Sequence, residues 1–217
     1  MRAIFLFGII IGLISSCQRD DKTPPVLTLN GAITATILIG DPYTDPGATA
    51  MDARDGDLSS RIEVEGSVNN LQSGTYVITY TVADFSGNTS SASRTVYVNS
   101  TMNAYEGTYT VHDSVWGGAV TDYTDQILAS TSTNDRIIAN RFGNQVNAAV
   151  YFDYYTTGQQ LNVPIQTLVC GSPALTRTFS TPSPGSVIST SPITFTVNYQ
   201  MVEGTNTTNA TATYTKQ

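Results

Sequence analysis

Acidic side chains recur in the first half of the chain and offer the oxygen ligands of a metal ion. Carboxylates of this kind are what Ca²⁺ requires in six- to eight-fold coordination. The sequence lacks the twelve-residue loop with a closing glutamate, and aspartates also form turns by bonding their own backbone. Two interpretations, a structural calcium site or ordinary turn residues, therefore stay open for Asp45, Asp52, Asp55, Asp57 and Asp84. No other cofactor is predicted.

Aromatic side chains in the second half are suited to holding a sugar, whose apolar C–H faces stack on aromatic rings. Trp116 precedes Gly117-Gly118, which favours an open loop. Aromatic residues on strands more often pack in the core or across strands, and adjacent residues on a strand point to opposite faces. At most one of the adjacent Tyr154 and Tyr155 is therefore internal. The candidate ligand-binding residues are Trp116, Tyr123, Tyr154 and Tyr155.

Groups for catalysis are scarce. His112, Asp113 and Ser114 are adjacent, so on a strand they alternate faces and cannot form a convergent triad. The chain has one histidine, which excludes a multi-histidine metal site. We predict no enzymatic activity.

Composition and charge limit the class of protein. The chain has 217 residues, of which 40% are hydrophobic and 12% charged, so it should fold, as about two domains. Its net charge of −7 argues against nucleic acid as a partner.

The N-terminus has the pattern of a secretory signal peptide, residues 1–16. Met1 and Arg2 give a basic start, and the apolar run Ala3–Ile14 is shorter than the roughly 20 residues of a membrane-spanning helix. Ile14-Ser15-Ser16-Cys17 resembles the bacterial lipobox. The resemblance implies that Cys17 is acylated, as with palmitate, and that residues 17–23 tether the protein to a membrane, where each buried methylene adds about 0.8 kcal/mol.

The four residues that directly follow this cysteine resemble the export signal of Bacteroidota-type lipoproteins: Gln18, Arg19, Asp20 and Asp21. That resemblance implies an outer-membrane lipoprotein exposed at the cell surface. The alternative is an ordinary polar tether, since charged tethers are solvated and extended whatever their purpose.

From Pro24 onward, short alternating runs separated by Gly, Asn and Asp predict an all-β protein. Asn30-Gly31 favours a tight turn with positive φ. Tyr76, Ile78, Tyr80 and Val82 share one face of a long strand. About seven strands in residues 24–99 fit a sandwich.

Within this segment, Asp45-Pro46-Gly47-Ala48-Thr49-Ala50, Asp55-Gly56-Asp57 and Gly87-Asn88-Thr89 occur in order. The pattern, over about residues 23 to 99, resembles the immunoglobulin-like family shared by pesticidal crystal toxins and bacterial surface proteins. The resemblance implies an immunoglobulin-like sandwich that serves as a spacer or adhesion module, and it implies fold and surface display more than any chemistry.

A polar joint places a boundary near residue 101, and residues 103–217 show about nine strands, Gln160–Leu168 among them. They predict a small antiparallel β-barrel or a second sandwich. Asn134-Asp135-Arg136-Ile137-Ile138, Phe142-Gly143-Asn144 and the strand of Tyr199 resemble lipocalin-like C-terminal domains of uncharacterised Bacteroidota lipoproteins.

Three functions follow as hypotheses. The first is a non-enzymatic surface lipoprotein whose immunoglobulin-like stalk presents a ligand-binding domain, with a glycan as the ligand. The second is a structural or adhesion subunit that packs against partners in a cell-envelope protein complex. The third is a lipocalin-like carrier, which requires an apolar cavity of a few hundred cubic ångströms inside the barrel.

Overall fold

The computed structural model describes residues 21–217, and strands dominate this part of the chain. The first seven form a three-stranded sheet of order β1-β3-β4 and a four-stranded sheet of order β2-β7-β6-β5, as a sandwich requires. Their bounds are β1 Val26–Leu29, β2 Thr34–Leu38, β3 Ala48–Asp52, β4 Gly56–Asp57, β5 Glu63–Glu65, β6 Gly74–Ala83 and β7 Thr89–Asn99.

The turn predicted at Asn30-Gly31 takes the chain from one sheet to the other. Gly31 has a φ of 75°, a value that a residue with a side chain rarely adopts. The strand before it, β1, pairs antiparallel with β3, whereas β2 after it pairs parallel with β7. The alternation predicted for β6 is also confirmed, since Ile78, Tyr80 and Val82 are buried.

The remaining ten strands of the described part belong to one antiparallel sheet that closes on itself. Strands β8 to β12 and β15 to β17 form the ring, and the pairing of β17 with both β8 and β16 completes it. This confirms the predicted barrel. The bounds are β8 Gly107–Val115, β9 Val120–Ala129, β10 Arg136–Ala139, β11 Val150–Tyr155, β12 Gln160–Asn162, β13 Gln166–Cys170, β14 Leu175–Ser180, β15 Gly185–Thr190, β16 Ile193–Glu203 and β17 Asn206–Lys216.

A hairpin of β13 and β14 interrupts the ring order. The strand predicted as Gln160–Leu168 is in fact two, because Val163, Pro164 and Ile165 separate β12 from β13. Proline has no N–H for a ladder hydrogen bond, so it is disfavoured inside a paired strand. The hairpin then pairs with β16 at Gln200–Val202, beyond the part of β16 that holds β15.

Aromatic rings fill the barrel interior. The Phe142 and Tyr199 ring centroids lie 4.5 Å apart, and Phe195 stacks on Tyr214 at 4.9 Å. Both phenylalanines and Tyr214 are fully buried, and Tyr199 nearly so. A carrier of apolar ligands needs an interior cavity, and these side chains occupy that volume, which counts against the carrier hypothesis.

By its internal contacts the chain divides into two compact units. The first comprises the described part of Met1–Asn30 together with Gly47–Val64 and Tyr80–Ala92, and it has a small core of Ala50, Leu58 and Val82. The second comprises Gly31–Pro46, Glu65–Thr79 and Ser93–Gln217.

Hydrogen bonds explain why the second unit joins segments so distant in sequence. Asn134 Nδ2 donates to the Ile39 carbonyl, and Ser73 N donates to the Thr131 carbonyl at 2.7 Å. Ser100 Oγ donates to the carbonyl of Thr133 at 3.2 Å.

Candidate functional site

A groove of about 510 Å³ opens on the outer wall of the barrel, where the chain leaves β12 and returns into β15. Its volume is within the range of small-molecule sites. The break at Pro164 creates one wall and the segment before β15 the other. It is lined by Asp153, Tyr155, Asn162, Val163, Pro164, Ile165, Ser180, Thr181, Pro182, Ser183 and Pro184.

Tyr155 supplies the aromatic ring of this groove. Tyr154 and Tyr155 point to opposite faces of β11, as strand alternation predicts. Tyr154 packs against the barrel core with its ring 5.9 Å from that of Tyr105, whereas Tyr155 is 49% exposed. Burial, assisted by neighbouring Tyr154, raises the pKa of Tyr105 to about 12. Of the two candidates, Tyr155 is therefore the one available to a ligand.

Polar side chains beside Tyr155 are held in place by their neighbours. Asp153 Oδ1 accepts a hydrogen bond from Arg136 Nε at 2.6 Å, and the Arg136 guanidinium lies over the Tyr151 ring at 4.0 Å. Asn162 Oδ1 is buried and has no hydrogen-bond partner among the described residues. These groups offer a carboxylate and an amide to ligand hydroxyls.

The far wall of the groove is also fixed. Val163 N donates to Thr181 Oγ1, and Asn198 Nδ2 donates to the Pro184 carbonyl at 2.9 Å. Proline at positions 164, 182 and 184 restricts the backbone further. A ligand would therefore meet a groove that is largely formed in advance.

Trp116 lies in the turn between β8 and β9 and is 53% exposed. Its Nε1 donates to Thr211 Oγ1 at 3.0 Å, which fixes the indole against β17. The turn lies at the end of the barrel where β9 begins. Strand β11 runs in the same direction as β9, because β10 pairs antiparallel with both, and Tyr155 is the last residue of β11. The two rings therefore lie at opposite ends of the barrel and do not form one stacking platform.

The prediction that Tyr123 is a surface ligand residue is not supported, because its side chain points into the barrel and is only 8% exposed. It belongs to the aromatic core. Residues on β9 alternate between core and solvent, and Tyr123 is on the core face together with Asp125 and Ile127.

His112 and Asp113 lie on opposite faces of β8, as predicted. His112 Nδ1 is 2.7 Å from Asp122 Oδ1 on the outer surface. Asp113 is buried, and its Oδ2 accepts a hydrogen bond from the Tyr199 hydroxyl at 2.8 Å. Burial raises the pKa of Asp113, and the Tyr199 hydrogen bond opposes that rise only in part.

Three of the five predicted calcium ligands are engaged elsewhere. Asp45 Oδ1 accepts from Arg94 Nη1 at 2.6 Å. Asp55 Oδ2 accepts the Phe85 N–H at 2.8 Å. Asp57 Oδ1 accepts the Ser59 N–H at 2.9 Å, and the hydrogen bonds from Ser59 lower the pKa of Asp57.

The other two, Asp52 and Asp84, converge with Asp21, the last residue of the predicted export signal. One carboxylate oxygen from each lies within 4.8 Å of the other two. Burial opposes ionisation of Asp84, but hydrogen bonds from Asn88, Ser86 and Gly87 outweigh it and lower its pKa. The structure thus brings Asp52 and Asp84 together with Asp21 and leaves Asp45, Asp55 and Asp57 outside this cluster.

The lipidation prediction at Cys17 and the export residues Gln18, Arg19 and Asp20 lie outside the described residues. The one helical feature near the predicted joint is the short 3₁₀ helix Thr101–Tyr105. Residues 21–217 contain no helix that is long and apolar enough to cross a membrane.

Residues 27–98 match the family model described as the immunoglobulin-like domain of bacterial surface proteins, which confirms the resemblance drawn from about residues 23 to 99. No protein with a curated description matches the sequence. A crystal structure of a lipoprotein from Bacteroides thetaiotaomicron is 18% identical, with 89% of this chain and 100% of that chain covered and a TM-score of 0.36.

Two structures of ZmpB from Clostridium perfringens are also similar. One contains its CBM51-2 module in complex with GlcNAc and INT domains, at 11% identity, with 88% of this chain and 44% of that chain covered and a TM-score of 0.29. The other contains the M60 catalytic domain with two CBM51 modules, at 13% identity, with coverages of 89% and 21% and a TM-score of 0.30.

Proposed function

We propose that this chain, whose residues 27–98 form an immunoglobulin-like domain of the bacterial surface protein family, is a non-enzymatic surface lipoprotein that captures a neutral glycan. The barrel binds the glycan in the Tyr155 groove. The immunoglobulin-like domain acts as the stalk, and acyl chains on Cys17 hold the protein on the outer membrane.

The half-exposed Tyr155 ring beside fixed polar groups is the observation that supports glycan binding. The ring offers a flat apolar face, and Asp153 and Asn162 offer hydrogen-bonding groups within the same groove. Sugars present both kinds of surface at once, so a shallow groove with one ring and a few convergent polar groups is suited to them.

Charge favours a neutral glycan over an acidic one. The chain carries a net charge of −7, and Asp153 is the one charged side chain that lines the groove in the described structure. Arg136 is already paired with Asp153, and the lining itself contains no basic residue, so the groove offers an anionic sugar no cationic partner.

Affinity electrophoresis of the full chain in detergent, through gels containing neutral or acidic polysaccharides, tests the proposal. We expect retardation by at least one neutral polysaccharide and its loss in Tyr155→Ala. Tyr97→Ala removes another partly exposed tyrosine, on β7, and should keep the retardation. Chelator is included throughout, so that the result does not depend on any divalent cation.

The same gels test the earlier interpretation of Trp116. If Trp116→Ala abolishes retardation and Tyr155→Ala does not, the glycan site is at the other end of the barrel. If no neutral polysaccharide retards the intact chain, the glycan proposal is wrong.

One observation favours the structural or adhesion subunit as a second candidate. Strand β13 is an edge of the sheet, and Val169 on it and Ile165 just before it are exposed. Edge strands with exposed apolar side chains are templates for pairing with another chain. For this candidate, Val169→Lys should abolish co-purification of an envelope protein with the chain and leave polysaccharide retardation unchanged.

A further inference from the structure

Three acidic side chains of the first unit meet although they are far apart in sequence. Asp21, Asp52 and Asp84 each place one carboxylate oxygen within 4.8 Å of the other two. Asp52 is 6% exposed and Asp84 3%. Among the ion pairs of residues 21–217, none includes any of the three. No basic side chain of the described residues therefore pairs with the cluster.

One carboxylate oxygen of Asp52 is the observation that points to a bound cation. Its Oδ1 accepts the N–H groups of Arg54 at 2.7 Å and Asp55 at 2.9 Å. Its Oδ2 is buried and has no hydrogen-bond partner in the part of the chain that is described. An unsatisfied buried carboxylate oxygen is unfavourable, and a bound cation would satisfy it.

Asn88 holds the other two residues of the cluster together. Its Nδ2 donates to Asp84 Oδ2 at 2.7 Å and to the Asp21 carbonyl at 3.1 Å. The N–H groups of Asn88 and Ser86 both donate to Asp84 Oδ1 at 2.8 Å. The carboxylates are thus positioned by the fold.

We propose that Asp21, Asp52 and Asp84 bind one calcium ion. Three oxygens within 4.8 Å of one another are close enough to share one ion. Ca²⁺ is favoured over Mg²⁺ because it accepts irregular ligand sets completed by water and carbonyl oxygens, whereas Mg²⁺ requires near-ideal octahedral geometry.

The ion would link Asp21 to the last residue of β3 and to the residue that follows β6. Asp21 is four residues from Cys17, so the connecting chain spans at most about 14 Å. If Cys17 is acylated, a consequence that rests on the proposed function, the calcium site keeps the stalk close to the membrane.

Calorimetric titration of the full chain, purified in detergent and treated with EDTA, tests the site. We expect one Ca²⁺ per chain, a rise in melting temperature with CaCl₂, and a smaller rise with MgCl₂. Asp21→Asn and Asp84→Asn should each weaken calcium binding at least tenfold. Asp57→Asn is the matched control and should bind as the original chain does.

Asp21→Asn is the primary variant, because Asp21 is partly exposed and its replacement leaves the buried Asp52 in place. Absence of calcium uptake by the unaltered chain would overturn the proposal, and so would equal affinities in Asp21→Asn, Asp84→Asn and Asp57→Asn. Polysaccharide retardation is measured in chelator, so failure of the calcium site and failure of glycan capture are separate results.

Discussion

The Tyr199 hydroxyl donates to Asp113 Oδ2 at 2.8 Å across the inside of the barrel, which places a carboxylate among aromatic side chains. The other oxygen of the Asp113 carboxylate has no hydrogen-bond partner among residues 21–217. Burial raises the pKa of Asp113 above its ordinary 3.8. The folded protein therefore binds this proton more tightly than the unfolded chain does.

This raised pKa predicts a pH dependence for Asp113→Asn. Below pH 3.8 both states hold the proton, and the contribution to stability is complete. As pH rises through the raised pKa, the unfolded chain ionises more readily and the unaltered protein loses that stability. Asn cannot ionise and can still accept from Tyr199, so the variant should be the more stable protein at pH 7, with the difference shrinking towards pH 4.

Urea unfolding at a series of pH values measures this difference. Asp122→Asn is the control, because Asp122 is exposed on the outer surface, where its pairing with His112 contributes little. A pH-independent difference between Asp113→Asn and the original chain would contradict the prediction.

Arg94 and Asp45 give a second prediction. The Arg94 side chain is 1% exposed, and its Nη1 is 2.6 Å from Asp45 Oδ1. Removal of one partner leaves a buried charge without its counter-ion, so Asp45→Ala should lower the free energy of unfolding by about 3 kcal/mol. Chemical denaturation measures the loss, and Asp41→Ala, on the exposed side of the same segment, should change it by less than about 1 kcal/mol.

Much of the barrel was predictable because its strands alternate between apolar and polar residues. The groove was not, because Gln160–Leu168 has the composition of one strand and Pro164 divides it. Proline in a strand is a signal for such a break, and it was present in the sequence. The sequence could not show which segment forms the opposite wall of the groove, because that wall includes Pro184, twenty residues after Pro164.

The calcium set was predictable only in part for a similar reason. Asp52 and Asp84 were candidates because they belong to a dense acidic pattern, and Asp21 was assigned to the tether by its position. The local pattern could not separate these from Asp45, Asp55 and Asp57, because only the fold determines which carboxylates converge.

The aromatic interior gives a third prediction. Phe142 is fully buried, and its ring centroid lies 5.1 Å from that of Phe152 and 5.5 Å from that of Phe179. Phe142→Ala leaves a cavity, so the free energy of unfolding should fall by about 3–5 kcal/mol.

Phe85→Ala is its matched control. Phe85 is mostly exposed, and the Arg61 guanidinium lies 4.4 Å from its ring centroid, so loss of the ring should cost about 1 kcal/mol or less. Thermal unfolding of both variants measures the contrast. Equal losses would show that the Phe142 ring is not buried in the core.

Gly185 gives a fourth prediction, at the groove wall. A Cβ at this position would lie 2.0 Å from the Thr196 carbonyl oxygen, so Gly185→Ala must push β15 away from β16. We expect a loss of about 3 kcal/mol in unfolding free energy and weaker polysaccharide retardation, because Pro184 moves with its neighbour. Gly204→Ala meets no atom within 4 Å and strains only its φ of 59°, at a cost of about 1 kcal/mol.

The two cysteines of the chain give the last prediction. If the lipobox resemblance is correct, Cys17 carries the acyl chains, and one chain alone binds a membrane only marginally, so two or more are needed for stable anchoring. Cys17→Ser should therefore abolish labelling by radioactive palmitate and shift the protein out of carbonate-washed membranes.

Cys170→Ser is the matched control, because the Cys170 thiol is buried at the end of β13 and cannot receive lipid in the folded protein. Palmitate label that survives in Cys17→Ser, or disappears in Cys170→Ser, would contradict anchoring at Cys17. Loss confined to Cys17→Ser would show that the chain is lipid-anchored four residues before the acidic cluster.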